Sequence, residues 1–107
     1  MSDCLFCKIV AGDIPAAIVA ESENVIAFRD IAPKAPLHVL VVPRTHVANV
    51  TEAAAQIPAV LAEMVALAQQ VADTEADGTY RLVFNTGENA GQSVFHVHGH
   101  VLGGKAL

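Results

Sequence analysis

The segment Gln92-Ser93-Val94-Phe95-His96-Val97-His98-Gly99-His100-Val101-Leu102-Gly103-Gly104, near the end of a 107-residue chain, alternates histidine with small or apolar residues. On an extended backbone that alternation sends His96, His98 and His100 to one face and Val97, Gly99 and Val101 to the other. A strand over Ser93–Leu102 therefore lines up three imidazoles at intervals of about 6.5–7 Å. A packed core does not gather three titratable rings on one face, and a solvated face gains nothing from them. Two chemistries need such a row. Alternate histidines can offer two ligands to a zinc ion, with a third from a neighbouring strand. Alternatively, one neutral imidazole attacks phosphorus while its neighbours orient it and move protons near neutral pH. The loop just upstream favours phosphorus: Gly87 to Gly91 can expose amide donors, and Gln92 and Ser93 add side-chain donors.

Outward from this segment, Thr79 to Asn85 reads as the preceding strand, joined to it through a loop in which Gly87, Asn89 and Gly91 can take positive φ. Thr51 can cap a helix running to about Thr74, with Ile57, Val60, Leu61, Met64, Val65, Leu67, Ala68 and Val71 as its apolar face. Leu37 to Val42 is a β-rich apolar run ending at Pro43, and it reads as a buried strand. Pro33 and Pro36 make Ile31–Pro36 a loop. Ala17–Glu21 and Asn24–Arg29 read as a hairpin. Cys4–Ala11 is a short helix closed by Gly12-Asp13, with Pro15 barring its continuation. This order predicts an α+β fold with a mostly antiparallel sheet of about five strands. One long helix covers one face of that sheet, and a short helix precedes it. The length suits a single domain over residues 1–107.

Hydrophobic residues make up 53% of the chain and charged residues 16%, with few aromatics, so Ala, Val, Leu and Ile build the core. So apolar a composition predicts a homodimer. The net charge of −5, with six scattered Lys and Arg, excludes polymeric nucleic acid as a partner but leaves a small phosphorylated substrate possible. No membrane partner is expected, because the Ala53–Ala72 run is interrupted by Gln56, Pro58, Glu63, Gln69 and Gln70. Met1-Ser2-Asp3-Cys4 has no signal-peptide character, so the expected location is cytoplasmic. There, Cys4 and Cys7 serve as thiols or metal ligands rather than as a disulfide.

His-x-His-x-His followed by apolar and small residues resembles the signature of the histidine-triad superfamily. The likeness extends through Cys4–Val10, Ala27–Pro33, His38–His46, Asn85-Thr86-Gly87 and Gly91–Val94. Val101-Leu102-Gly103-Gly104 is similar to the Hint branch. The resemblance implies a nucleotide hydrolase or nucleotidyl transferase of the phosphoramidase type with this superfamily's fold. It would act on purine nucleoside phosphoramidates or related conjugates through a covalent nucleotidyl-histidine. In that scheme His98 is the nucleophile and His100 contacts phosphate oxygens. Ser93 hydrogen-bonds near the leaving group, and His38 belongs to the proton-handling network. Phe28, Asp30 and Ile31 match base- and ribose-holding positions, while Asn85, Gly91, Gln92, Ser93 and Val94 match phosphate-positioning ones. The resemblance also implies a structural zinc held by Cys4, Cys7, His46 and His96, with no metal required for the chemistry. Rival readings are a dinucleoside polyphosphate hydrolase, a nucleotide-binding scaffold dimer with vestigial catalysis, and a zinc hydrolase using the triad as ligands.

Arg29, Lys34 and Arg44 read as solvated cations, and Tyr80, Phe84 and Phe95 as core or interface aromatics. Gly99 stands where this superfamily has a branched apolar residue. The missing side chain should open a void on the face opposite the triad or admit a neighbour there.

Overall fold

The computed structural model describes residues 4–104. Helix α1 (Leu5–Val10) leads into strands β1 (Ile18–Glu21), β2 (Val25–Arg29) and β3 (Leu37–Pro43). Helices α2 (Val50–Gln56) and α3 (Pro58–Glu75) follow, then β4 (Arg81–Val83), a 3-10 turn (Glu88–Ala90) and β5 (Gly99–Gly103). The strands form one antiparallel sheet in the order β1-β2-β3-β5-β4. This is the α+β architecture the sequence predicts.

β3 is the central strand and is buried along its whole length, its apolar run interrupted only by His38. Its side chains alternate between two cores. Leu37, Val39 and Val41 join Val25, Ala27 and Val101 against Met64, Leu67, Ala68 and Val71 of α3. Leu40 and Val42 join Ile26 and Phe28 on the opposite face, where Phe6 and Ile9 of α1 cover them. Helices thus lie on both faces, because the short N-terminal helix packs opposite α3. Burying Phe6 and Ile9 stabilises that docking by about 1.5–3 kcal/mol each. Phe6 also meets Phe28 edge-on, with ring centroids 5.5 Å apart.

The long helix expected from Thr51 to Thr74 is two helices. Pro58 has no amide to donate, and its ring drives Ile57 out of the helical region, to φ −136°, ψ 55°. The Ile57 amide closes α2 on the Ala53 carbonyl, and Pro58 opens α3 in its first turn, where a missing N–H costs nothing. The cap of α2 is Asn49, whose side chain accepts from the Glu52 amide at 2.9 Å, rather than Thr51. Val65, assigned to the apolar face, is exposed.

The last two strands are shorter than Thr79–Asn85 and Ser93–Leu102. β5 starts only at Gly99, because the backbone before it has other partners. The Val94 carbonyl accepts from the Gln92 side chain, the Val97 amide donates to the Val47 carbonyl, and the His96 carbonyl accepts from the His98 ring. His100 is therefore the one triad histidine on a strand. His96 and His98 sit on the irregular approach to it.

Of the two outcomes expected opposite the triad, a void or an admitted neighbour, the structure has the second. A Cβ on Gly99 would lie 2.9 Å from Leu82 Cδ1 and 3.0 Å from Phe84 Cζ, so side chains on and just after β4 fill that space. Glycine is the residue that admits them.

Candidate functional site

His96 is fully buried, and its two ring nitrogens face different tasks. Nε2 lies 2.8 Å from the Pro43 carbonyl, which can only accept, so Nε2 carries the proton and Nδ1 the lone pair. That lone pair points into a cluster of soft donors. Nδ1 is 3.3 Å from Cys4 Sγ, 3.4 Å from Cys7 Sγ and 3.2 Å from His46 Nδ1, while Cys7 Sγ is 3.3 Å from His46 Nδ1. One lone pair accepts from one donor, so hydrogen bonds alone do not explain three close neighbours around Nδ1. A tetrahedral zinc would: bonds of about 2.0 Å to nitrogen and about 2.3 Å to sulfur set edges of about 3.3 Å between two nitrogens and about 3.5 Å between nitrogen and sulfur. The Pro43 carbonyl then acts as the outer partner that fixes a ligating imidazole. Cys4, Cys7, His46 and His96 together fit zinc. The α1 end supplies the thiols, and Cys4 also caps α1 by accepting from the Cys7 amide.

His98 is nine-tenths buried, and its Nδ1 lies 2.8 Å from the His96 carbonyl. That oxygen accepts, so Nδ1 is the protonated nitrogen and Nε2 keeps a lone pair. The ring stands edge-on to Phe6 at 4.9 Å and to His100 at 5.1 Å. Burial pushes its pKa below the usual histidine value, against smaller raising effects from the His96 carbonyl and Asp30. At neutral pH the ring is thus an uncharged base with its available lone pair on Nε2.

A second relay starts from the backbone. The Lys34 amide donates to His38 Nδ1 at 2.9 Å, which puts the His38 proton on Nε2. Nε2 lies 3.0 Å from His100 Nδ1 and 3.4 Å from the Asp30 carboxylate. His100 Nδ1 therefore accepts, and its own proton sits on Nε2. Asp30, His38 and His100 are close enough to suggest a second metal site, but His38 Nε2 carries the proton and cannot also be a ligand. The group is a hydrogen-bonded chain. Burial again lowers the His100 pKa, assisted by the repulsion that protonated His98 and His38 would exert. Burial likewise lowers that of His96.

The glycine loop has positive φ at Gly87 (90°) and Gly91 (93°), while Asn89 lies within the 3-10 turn. Gln92 is buried, and both ends of its amide are in use. Its Oε1 accepts from the Gly87 amide, and its Nε2 donates to the Ala48 and Val94 carbonyls. Asn85 Nδ2 donates to the Ala90 carbonyl. These two side chains brace the loop from within.

A cleft of about 550 Å³ opens beside the histidines. Phe28, Asp30, Ile31, Ser93, Val94, His98 and His100 line it, whereas Asn85, Gly91 and Gln92 do not. Ile31 is fully exposed at its rim, and Asp30 Oδ1 accepts from the Ala32 amide. His38 stands behind His100, and His46 and His96 belong to the Cys/His cluster. Sequence reasoning missed Phe6, Ile9 and Leu40, which form apolar wall in this cleft, and the Pro43 carbonyl and Lys34 amide, which set ring tautomers. Phe6 had a signal: it lies between Cys4 and Cys7, so the grouping of those thiols with His96 carries it to the neighbouring His98. Arg29 pairs with Glu75 at 2.8 Å, and Arg44 pairs with Glu21 at 2.9 Å while donating to the Ser22 and Glu23 carbonyls. Phe95 is half-exposed, while Tyr80 and Phe84 pack against the core.

Residues 11–107 match the HIT domain family. The chain is 39% identical over 107 residues to the purine nucleoside phosphoramidase of Escherichia coli, covering 98% of this chain and 90% of that protein. It is similar to a HIT family hydrolase from Clostridium thermocellum, with TM-score 0.93, 43% identity and coverage of 100% of this chain and 95% of that one. A Zn-bound histidine triad family protein from Mycobacterium smegmatis aligns with TM-score 0.82 and 35% identity, over 97% of this chain and 76% of that one. Among the described residues, no helix is long and apolar enough to cross a membrane.

Proposed function

The chain belongs to the HIT domain family, and on that premise we propose that it is a hydrolase cleaving purine nucleoside phosphoramidates or related nucleotidyl conjugates through a nucleotide carried on His98. One observation carries the reading: the His96 carbonyl holds the His98 Nδ1 proton, leaving Nε2 as the lone-pair atom of a ring that lines the cleft.

In the first step, Nε2 attacks the α-phosphorus. The Nε2–P bond forms and the P–N bond breaks, its electron pair staying on the departing amine, which takes a proton from solvent. Ser93, exposed and lining the cleft, is suited to hydrogen-bond that amine. In the second step, water attacks phosphorus and returns a proton to solvent, the Nε2–P bond breaks with its electron pair going back to Nε2, and the nucleoside monophosphate leaves. His100 Nε2–H faces the charge that grows on the phosphate oxygens. Its orientation is held by His38, which is itself held by the Lys34 amide and the Asp30 carboxylate. Phe28 and Ile31 are suited to a base and Asp30 to sugar hydroxyls. The Ser93 and Val94 amides are suited to the phosphate, with Asn85 and Gln92 bracing the loop before them. The purine preference is supported by the name of the Escherichia coli relative. Zinc bound at Cys4, Cys7, His46 and His96 supplies cross-linking rather than chemistry: it ties α1 to the segment that aims His98. The proposal includes a cytoplasmic homodimer, in keeping with the apolar composition.

The test compares adenosine phosphoramidate with a diadenosine polyphosphate as substrates for the wild type and for His98→Ala. The expected result is preferential cleavage of the phosphoramidate, lost by at least about 10³-fold in the variant. Preferential cleavage of the polyphosphate, or turnover unchanged in His98→Ala, contradicts it.

A further inference from the structure

Within the Cys/His cluster, the two thiols differ from His96 in being reachable. His96 is fully buried, whereas Cys4 and Cys7 are half-buried and His46 is exposed. Cys4 also lines a cavity of about 350 Å³, large enough to admit a small solute. The two sulfurs lie within 4.8 Å of each other, as do all the ligand atoms of the cluster. Cys4 caps α1 and accepts from the Cys7 amide at 3.3 Å, so one helical turn separates the pair. Such a turn sets Cα atoms about 5 Å apart, inside the span of a disulfide. These thiols also hold a wall of the cleft in place. α1 contributes Leu5, Phe6 and Ile9 to that wall, and Phe6 stands edge-on to His98 at 4.9 Å. Among the described residues, Phe6 and Ile9 are the buried apolar anchors of this six-residue helix, and the grouping of its sulfurs with His46 and His96 is its polar tie.

We infer that Cys4 and Cys7 are a redox pair: hydrogen peroxide closes them into a disulfide, which withdraws both sulfurs from the cluster and releases α1 from the cleft. As metal ligands both are thiolates. The Cys4 thiolate, on the cavity side, attacks the peroxide. Its S–O bond forms, the O–O bond breaks and hydroxide leaves. The Cys7 thiolate then attacks the Cys4 sulfur, the S–O bond breaks and a second hydroxide leaves. Each hydroxide takes a proton from solvent, so two electrons pass from the two sulfurs to the peroxide, which ends as two waters. A disulfide sulfur no longer carries the charge of a thiolate ligand, and His46 and His96 alone do not complete a tetrahedral site. The helix is then left with Phe6 and Ile9 to hold it, and the cleft wall they form loosens. A dithiol reductant with added zinc reverses the change.

The test treats the zinc-loaded wild-type chain with a small excess of hydrogen peroxide and reads three quantities: zinc released to a chromogenic chelator, intact mass with peptide mapping, and amide hydrogen exchange. The expected result is release of the bound zinc together with loss of the mass of two hydrogens, mapped to a Cys4–Cys7 linkage. Exchange over Phe6–Val10 should rise by at least about tenfold, and dithiothreitol with zinc should restore it. Retention of zinc by the treated chain, oxygen added to one cysteine without a linkage, or a disulfide joining two chains overturns the proposal. So does a Cys4–Cys7 disulfide that leaves exchange over α1 unchanged. None of these readouts uses turnover, so the redox pair stands or falls separately from the reaction at His98.

Discussion

His98 takes its chemical identity from three groups close to it in space. The carbonyl of His96 fixes which nitrogen carries the proton, and Phe6 with His100 fixes the plane of the ring. His96 shares this logic, with the Pro43 carbonyl on Nε2 turning Nδ1 toward Cys4, Cys7 and His46. Gly99, between the second and third histidines, follows a steric rule instead. Leu82 and Phe84 occupy the space a side chain would need, and both are far ends of partly exposed side chains that can give way. Gly99→Val is therefore expected to destabilise the fold by about 1–3 kcal/mol through overpacking, toward the lower figure, and Gly99→Val with Phe84→Ala should recover part of it. Urea unfolding of the two variants checks this. A stabilised single variant contradicts the packing described.

At the scale of elements, α1 is six residues long, too short to persist alone, and holds its place through Phe6, Ile9 and the Cys/His cluster. Zinc should consequently stabilise the whole chain: about 4 kcal/mol when free zinc is about 1,000 times Kd. Chelation should lower the thermal midpoint, and re-addition of zinc should restore it. Thermal unfolding with parallel zinc analysis measures this, and a midpoint indifferent to chelation in a zinc-containing preparation contradicts it. The elements also mark where sequence reading stops. β3 was legible because seven buried positions in a row need no partner to be recognised. The break between α2 and α3 was written in Pro58 and missed, because the apolar positions on either side keep the helical period across it. The late start of β5 was not legible. It depends on Gln92, Val47 and the His98 ring taking up backbone groups that a strand would have used.

For the molecule as a whole, an acidic chain of net charge −5 presents a cleft walled mainly by apolar side chains, with His98, His100, Ser93, Asp30 and a single cation, Arg29. That combination suits a small phosphorylated ligand bound by local dipoles rather than by a basic field. The site was legible to the extent that chemistry resides in residue type: five histidines, two cysteines and the glycine loop named themselves. What the sequence withheld were the backbone carbonyls and amides that choose each tautomer, since every residue carries them and only the fold aims them. Asn85 and Gln92 illustrate the same limit, because their amides turn inward to brace the loop, away from the cleft. The direct measurement is intact-protein mass spectrometry after rapid mixing with a slowly cleaved adenosine phosphoramidate, followed by peptide mapping under conditions that preserve phosphohistidine. A transient mass increase of one adenylyl group, located on His98 and absent from His98→Ala, is the predicted result. Turnover without any adduct, or an adduct on another residue, would contradict it.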